Sequence, residues 1–346
     1  MSVLDRLGVY LFPWGKERPS VPSIVELTQL AEELGFDSVH LPWHYTLPTT
    51  GTFPAFGSRY LLDPLVVLPI LVDRTRRIRI GLNSAIAPAL HPFAWAQYFA
   101  SLDVVSGGRV IPGVAVGWWP DDFKVGGVSS KERGARTDEA LEAMARLWAG
   151  EELSTPGRFW DCTGLRLDPL PVQQPFPIWL GGGVKSARRA AKWATALFPL
   201  NPTAAEVRDE LRPTMDAAAA AERRHLDLVT MNYAIVSNDA AWIRDEIHPK
   251  LVARLNGVSV QRARDEHDNL QLLSPDDRVM YGSAEQCAER GAELFGAGVD
   301  YMVIDFQFHG LETATFAREH MQRFVQSVVP LLERAGVGAA STTSRG

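Results

Sequence analysis

Three consecutive glycines, Gly181 to Gly183, are the residues whose spacing points most directly to binding chemistry. They end a short apolar run and open into a helical pattern that begins with Lys185 and Ser186. Glycine lets a backbone approach a ligand closely, and the first N–H groups of a helix favour an anion such as phosphate. The alternative is a tight strand-to-helix turn that needs glycine only for its backbone angles. The loop alone leaves both interpretations open.

His44 is the candidate for acid–base chemistry, since it directly follows an apolar run that ends in Trp43. A histidine can transfer protons near neutral pH or donate a hydrogen bond to a ring. Taken alone, His44 fits a partly buried histidine bonded to the backbone somewhat better. His40 lies inside the same apolar run and is interpreted as structural, whereas the role of His309 is left open.

Aromatic side chains accumulate where the sequence predicts loops. They fit either an apolar pocket for a planar ligand or ordinary core beneath long loops. Trp118 and Trp119 are adjacent, and two such neighbours are difficult to bury together. The candidates for a substrate pocket are Trp14, Phe53, Phe56, Tyr60, Trp118 and Trp119.

Composition argues against several classes of function. The 346 residues are 46% hydrophobic and 22% charged with a net charge of −6, which is typical of a globular protein and not of a nucleic-acid binder with a basic face. Cys162 and Cys287 lack the spacing of metal ligands or of a disulfide framework, and Asp121 and Asp122 are interpreted as solvated. No metal site is expected.

The longest strongly apolar run, residues 65–72, contains Pro69 and is far shorter than a membrane span. Residues 1–20 hold no apolar segment of the kind that a secretory signal needs. We therefore expect no membrane association and a cytoplasmic location.

Eight brief apolar runs rich in Val, Ile and Leu are typical of strands buried on both faces of a parallel sheet. These predicted strands are residues 7–12, 38–43, 78–83, 110–117, 177–181, 196–200, 229–236 and 301–306. Helical patterns lie between them, at residues 23–34, 93–102, 137–147, 185–194, 204–223, 284–295 and 313–334. The first is predicted to begin at Ser23 and to stop at Gly35.

This alternation predicts a single (β/α)₈ TIM barrel, with a doubly wound open sheet as the competitor. Residues 1–335 are assigned to the barrel and residues 336–346 to a disordered tail. Insertions are expected after strands 2, 4 and 7: a lid at 44–62, a small hairpin within 151–176, and a polar insertion at 237–283. A barrel of this kind carries its site on the loops that follow the strands.

Several motifs resemble those of the bacterial luciferase-like flavin-dependent oxidoreductases, and together they cover about residues 5–335. Four of them are similar to the branch that uses the deazaflavin coenzyme F420: GVAVGW at 113–118, Asp122-Phe123, Gly127-Val128 and ERGARTDE at 132–139. The others are AEELGFDSV at 31–39, His91-Pro92, SLDVVSGGRV at 101–110 and PVQQPFPIWLGGG at 171–183.

The resemblance implies that reduced FMN or coenzyme F420 binds at the C-terminal mouth of the barrel, with its phosphate near Gly181 to Ser186. It also implies a non-prolyl cis peptide bond near Asn83–Ser84, as a bulge behind the cofactor ring. His44 becomes the catalytic candidate. The implied cofactor-binding residues are Trp43, His44, Asn83, Ser84, Val116, Gly181, Gly182, Gly183, Lys185 and Ser186.

The sequence departs from the family pattern at three places. Trp43 stands where the deazaflavin dehydrogenases often have a carboxylate, Asn83–Ser84 replaces a more usual small or β-branched pair, and Ala115 stands where glycine is common. The missing carboxylate favours FMN, while the branch motifs favour F420, and the balance leans weakly to F420.

We therefore expect an oxidoreductase that acts on a small apolar or aromatic molecule by hydride transfer or oxygen insertion. A separate flavin or F420 reductase would supply the reduced cofactor. The resemblance also implies a homodimer. Two alternatives remain: a non-catalytic flavin-binding homologue and a metal-dependent TIM-barrel hydrolase.

Overall fold

The computed structural model describes residues 2–12, 18–47, 60–154, 156–257, 273–307 and 313–338. Its central feature is a sheet of parallel strands that closes on itself. The strands are β1 (Leu7–Tyr10), β2 (Ser38–Leu41), β3 (Arg79–Ile86), β4 (Val110–Ala115), β5 (Trp179–Gly181), β6 (Ala196–Phe198), β7 (Asp227–Val236), β8 (Met280–Gly282) and β9 (Tyr301–Asp305).

Strands β1 to β6 pair in sequence order, β6 pairs with β7, and β7 pairs with β9, which returns to β1. The predicted (β/α)₈ barrel is therefore confirmed, and the open doubly wound sheet is excluded. Strand β8 lies outside the ring of eight because it pairs only with the end of β7, at Ala234 to Val236. The sequence did not predict β8, which falls within the expected insertion at 237–283.

Helices follow the strands and cover the outside of the barrel. They are α1 (Val21–Leu34), α2 (Pro64–Arg74), α3 (Pro92–Ser106), α4 (Pro120–Val125), α5 (Arg133–Trp148), α6 (Ala187–Trp193), α7 (Ala204–Glu206), α8 (Arg212–Ala221), α9 (Ala240–Trp242), α10 (His248–Asn256), α11 (Ala284–Gly296), α12 (Ala314–Arg323) and α13 (Val329–Arg334). Short π-helical stretches join α7 to α8, α9 to α10 and α12 to α13.

The first helix stops where the sequence predicted and starts earlier. Gly35 takes the left-handed conformation, with φ of 90°, and closes the helix through its N–H group. The start predicted at Ser23 is wrong, because Ser20 is the N-cap and Ser23 is the third residue of the helix, where its side chain completes the capping box. Helices α2 and α4 were missed: the first is mostly apolar and contains Pro69, and the second spans only six residues.

Side chains alternate between the two faces of the sheet, so that the barrel has an inner core and an outer core. Leu7 and Val9 of β1 point outward to the helices, whereas Tyr10 belongs to the cluster inside the barrel. The inner cluster is strongly aromatic. Its members on the strands are Tyr10, Ile111, Trp179, Ala196, Phe198, Val229, Met231, Tyr233, Ile235, Tyr301 and Val303.

The long connections agree only partly with expectation. The hairpin predicted within 151–176 is wrong, since no strand forms among residues 151–154 and 156–176. Two hydrogen bonds between Leu153 and the Gly164–Leu165 turn hold this loop together instead. Most of the expected lid, residues 48–59, lies outside the described residues, as do 258–272 of the third insertion and 339–346 of the tail. No helix among the described residues is long and apolar enough to cross a membrane.

His320 gives the fold a testable dependence on pH. It is buried in α12, where its ring stacks on Phe316 with 3.9 Å between centroids. Burial lowers the pKa of His320 to about 4, against ~6.5 in an unfolded chain. Between these values the unfolded chain binds a proton that the folded chain does not, so the free energy of unfolding falls as the pH falls.

We predict that the variant His320→Leu loses less stability on acidification than the native chain. One such histidine changes the free energy of unfolding by up to ~1.4 kcal/mol per pH unit within its window. Urea unfolding at pH 7, 6 and 5 measures, for each of the two proteins, the slope of the free energy of unfolding against pH. Parallel slopes for the two proteins would contradict the assignment of a neutral, buried His320.

Candidate active site

A cavity of about 630 Å³ opens at the carboxyl ends of the barrel strands. It is bounded by the residues that follow β2, β3, β4, β5 and β6, which is the end of the barrel where the sequence placed the site. The residues that line it are Tyr10, Pro42, Trp43, His44, Asn83, Ser84, Ile86, Ala115, Val116, Gly117, Trp118, Gly181, Gly182, Gly183, Val184, Ser186, Phe198, Pro199, Leu200, Pro202, Glu206, Glu210 and Leu211.

Most of the predicted site residues meet in this cavity. Those that line it are Trp43, His44, Asn83, Ser84, Val116, Trp118, Gly181, Gly182, Gly183 and Ser186. Three do not: Lys185 is exposed, the Trp119 indole donates to Thr46 Oγ1 at 3.1 Å, and the Tyr60 hydroxyl donates to the Pro19 carbonyl at 3.3 Å. Trp14, Phe53, Phe56 and His309 lie outside the described residues.

The triple-glycine loop forms one wall. Gly182 has φ of 150°, and a Cβ there would overlap Ser186 Oγ, so only glycine fits this turn. The Gly182 N–H bonds the Phe198 carbonyl, and the Ser186 N–H bonds the Gly183 carbonyl. Among the described residues, none accepts a hydrogen bond from the N–H groups of residues 183–185. These donors and the Ser186 hydroxyl fit a phosphate group.

Tyr10, Asn83 and Ser84 form the floor, which comes from β1 and β3. The predicted cis peptide bond is confirmed at Asn83–Ser84. The register between β3 and β4 shifts between Leu82 and Ala85, so that this segment bulges from the sheet. The Tyr10 hydroxyl donates to the Asn83 carbonyl at 2.6 Å, and burial raises the pKa of Tyr10 well above its ordinary range, which keeps that proton in place.

His44 is held by a carboxylate that the sequence did not identify. Its Nδ1 lies 2.6 Å from Oδ2 of Asp122, whose Oδ1 accepts from the backbone N–H groups of Tyr45 at 2.8 Å and Thr46 at 3.3 Å. Asp122 is fully buried, so its interpretation as a solvated residue is wrong. It lies in the first turn of α4, and Pro120, which opens that helix, is the signal that could have located it.

The aromatic candidates divide between the cavity and the core. Trp43 is buried and packs edge-on against Tyr45 and Trp95. Its side chain therefore belongs mainly to the core behind the cavity. Trp118 is 48% exposed at the rim, with its ring centroid 5.8 Å from that of His44. Across the mouth, Leu200 is 63% exposed, and the sequence did not single it out.

The outer wall of the cavity is acidic. Glu206 and Glu210 line it, and no lysine or arginine does so among the described residues. Burial alone would raise the pKa of Glu206, but hydrogen bonds from Arg278 and from the Thr203 N–H lower it overall. Glu210 is exposed, so the unpaired negative charge of this wall lies mainly there. In the described part of the chain, no three His, Cys, Asp or Glu side chains cluster as a metal site would require.

Comparisons with known proteins agree with this architecture. A family model described as luciferase-like monooxygenase matches residues 9–301. A curated relative, the FMNH(2)-dependent dimethylsulfone monooxygenase of Pseudomonas putida, is 24% identical in an alignment of 320 positions that covers 85% of each chain. The crystal structure of monooxygenase RslO1 from Streptomyces bottropensis superposes with a TM-score of 0.77 at 24% identity, covering 94% of this chain and 99% of that one.

A second solved structure shares the fold at lower identity. An F420-dependent secondary alcohol dehydrogenase, in complex with an F420-acetone adduct, has a TM-score of 0.72 at 17% identity. The match covers 94% of this chain and 98% of that one.

We predict that Asp122→Ala destabilises the protein by ~1–3 kcal/mol, because His44 and two backbone N–H groups lose their acceptor. The matched control is Asp121→Ala, which removes a neighbouring exposed carboxylate and should change stability by less than ~0.5 kcal/mol. Chemical denaturation of both variants measures the difference. Equal stabilities would contradict the anchoring role of Asp122.

Proposed function

Because the chain belongs to the luciferase-like monooxygenase family, we propose that it is an oxidoreductase that binds a reduced flavin-type cofactor, namely reduced FMN, in the cavity at the mouth of the barrel. This proposal rests on three features that line the same cavity. A glycine wall fits a phosphate, a floor is built on Asn83–Ser84, and a histidine is paired with a buried carboxylate.

The phosphate end of the cofactor is assigned to the glycine wall. The N–H groups of residues 183–185 and the Ser186 hydroxyl supply donors, and the absence of side chains at Gly182 and Gly183 leaves room for the ligand. The ring is assigned to the space between this wall and His44, above Asn83 and Ser84.

The charge of the outer wall supports FMN over coenzyme F420. FMN ends in its phosphate, whereas F420 continues into a chain of glutamates that carries further negative charges. Glu206 is paired with Arg278, but the exposed Glu210 lies on a wall that no described lysine or arginine lines, and this charge disfavours such a tail. The dimethylsulfone monooxygenase, a relative that matches across 85% of this chain, uses FMNH(2) according to its name. The sequence motifs at 113–118 and 132–139 favour F420, which remains the second candidate.

When bound, the reduced cofactor supplies the redox chemistry, either oxygen insertion with FMN or hydride transfer with F420. The chain then has to orient the reactants, exclude water and move a proton. His44 is the proton-transfer residue in this proposal, because Asp122 fixes its ring and holds the proton on Nδ1, so that Nε2 is the basic nitrogen.

The substrate is proposed to be a small apolar or aromatic molecule. Trp118 and Leu200 present exposed apolar surface at the mouth, and Ile86, Val116 and Phe198 continue that surface inward. A separate reductase that supplies the reduced cofactor is the proposed partner. The named relatives favour neither the non-catalytic homologue nor the metal-dependent hydrolase.

Anaerobic titration with reduced FMN and, separately, with reduced F420 tests the cofactor assignment. Fluorescence or calorimetry measures the binding. We expect a micromolar dissociation constant for reduced FMN and at least tenfold weaker binding of reduced F420. Gly182→Val should weaken FMN binding by tenfold or more, which is about 1.4 kcal/mol, because its side chain enters the phosphate wall.

Gly164→Val is the matched control, because Gly164 also has a positive φ but lies in an exposed loop with open space around it. It should leave FMN affinity unchanged. Glu210→Lys separates the two cofactors, since it should strengthen F420 binding more than FMN binding. Preference of the native chain for F420 would replace FMN with the second candidate, and binding of neither would overturn the proposal.

For His44→Ala we expect turnover to fall by ~10²-fold or more while cofactor affinity changes by less than about threefold. Turnover is measured as substrate-dependent oxidation of the reduced cofactor, on the best compound from a panel of small apolar and aromatic molecules. His91→Ala is the control, because His91 caps α3 through the Phe93 N–H and does not line the cavity. Native turnover in the His44 variant would remove this residue from catalysis.

A further inference from the structure

A chain of polar side chains crosses the barrel interior beneath the cavity. It begins at Asp37, which is paired with Arg79, and runs through the Tyr301 hydroxyl, the Ser38 hydroxyl and the His40 ring to the carboxamide of Asn83. Ser38 and His40 are fully buried, and Asn83 and Tyr301 are 3% and 7% exposed. Such a connected polar network is costly to build in an apolar core unless every link is made.

The hydrogen bonds of this chain can run in only one direction. Asp37, as a carboxylate, only accepts, so Tyr301 donates its single proton to Asp37 at 2.8 Å. The 2.5 Å contact between Tyr301 and Ser38 then requires Ser38 to donate. Because the proton of Ser38 is used there, His40 Nε2–H must donate to Ser38 Oγ at 2.7 Å.

The neutral state of His40 completes the argument. Burial, with Arg79 as a smaller cause, lowers the pKa of His40 to about 3, so the ring carries one proton at neutral pH. With that proton on Nε2, Nδ1 is an acceptor and receives the Asn83 Nδ2–H bond at 3.1 Å. The direction set by Asp37 therefore selects one of the two orientations of the Asn83 amide.

The barrel is shaped to hold this chain. A Cβ on Gly81 would overlap the His40 ring, and a Cβ on Gly8 would overlap Ser38 Oγ, so neither strand could carry a larger residue there. Trp179 stacks on the His40 ring with 5.0 Å between centroids, which fixes its plane. Asn83 Oδ1, in contrast, is buried and has no hydrogen-bond partner among the described residues, so within them the orientation of the Asn83 side chain rests on Nδ2.

We propose that Asp37, Tyr301, Ser38 and His40 are positioning residues that hold Asn83, and with it the cavity floor, in the one arrangement that accepts the cofactor ring. This proposal rests on the cofactor site proposed above. The Tyr10 bond to the Asn83 carbonyl holds the main chain of this residue, and the buried chain holds its side chain. None of the four residues lines the cavity, so their effect on binding must pass through Asn83.

Histidine ¹⁵N NMR of the cofactor-free protein tests the direction of the chain. Two buried histidines should resist protonation down to about pH 5, and they should be opposite tautomers. His40 should carry its proton on Nε2, whereas His320 should carry it on Nδ1, because that atom donates to the Phe316 carbonyl. His320→Leu removes the second signal and so assigns the first.

Tyr301→Phe and Ser38→Ala should each abolish the pure Nε2–H pattern of His40 and raise the dissociation constant of reduced FMN by five- to tenfold. Arg79 and Tyr301 donate to the same oxygen of Asp37, so in Asp37→Asn the arginine should keep the amide oxygen toward Tyr301 and preserve both the pattern and the affinity. Tyr98→Phe is the matched control, because the Tyr98 hydroxyl is partly buried but donates to the Leu65 carbonyl, between α2 and α3. It should leave FMN affinity unchanged.

The proposal is overturned if Tyr301→Phe and Ser38→Ala retain the Nε2–H pattern and native affinity, or if Tyr98→Phe weakens FMN binding equally. Should one of the two chain variants fail to fold, the other gives the same comparison. Failure of the cofactor assignment is separate: a native chain that binds neither FMN nor F420 refutes the proposed function. The NMR pattern then still decides whether the hydrogen bonds from Asp37 through Tyr301 and Ser38 determine the tautomer of His40.

Discussion

The interior of the barrel must be filled by side chains from eight short strands, and this packing constraint determines the site. A small barrel has room for few large residues in each layer, so large side chains on some strands require small ones opposite. Here Trp179 and Tyr301 fill the interior, and the absence of side chains at Gly8 and Gly81 makes room for Ser38 and His40. The same packing that closes the barrel places a polar chain directly below the cavity.

The barrel could be predicted from the sequence because its strands are buried on both faces. Each appears as a brief apolar run, and each of the eight runs overlaps a strand of the barrel. Helix α2 was missed because its residues are apolar on nearly every side and Pro69 interrupts the pattern. Strand β8 was missed for the opposite reason, since three residues that pair only with the end of β7 leave almost no periodic signal.

The site was predictable where function depends on backbone and local spacing, and not where it depends on contacts between distant segments. The glycine wall and the Asn83–Ser84 peptide are features of single segments: the cis peptide bond is confirmed, and the three glycines line the cavity, where phosphate binding stays a prediction. The partner of His44 lies 78 residues along the chain, on a six-residue helix, and its sequence neighbourhood is that of a solvated acidic pair. Pro120 marks the start of this helix, but the burial of Asp122 comes from contacts with residues 44–46, which lie far away along the chain.

Trp43 and Asp122 together show how one local departure from a family pattern can be offset elsewhere in the fold. Trp43 occupies a position where related deazaflavin enzymes often have a carboxylate, and in this chain it packs into the core against Trp95. A carboxylate is nevertheless present at His44, supplied by the segment after β4 rather than by β2. Asp122 accepts from the backbone of residues 45 and 46 as well, so it fixes the path of the loop and the ring of His44 at once. Asp122 lies on a different segment from His44, so the two cannot move together as two neighbours in one loop could. A buried carboxylate with three donors therefore restricts the His44 ring more strictly than an adjacent residue would. The orientation of the His44 ring therefore depends on how the segments after β2 and β4 pack against each other.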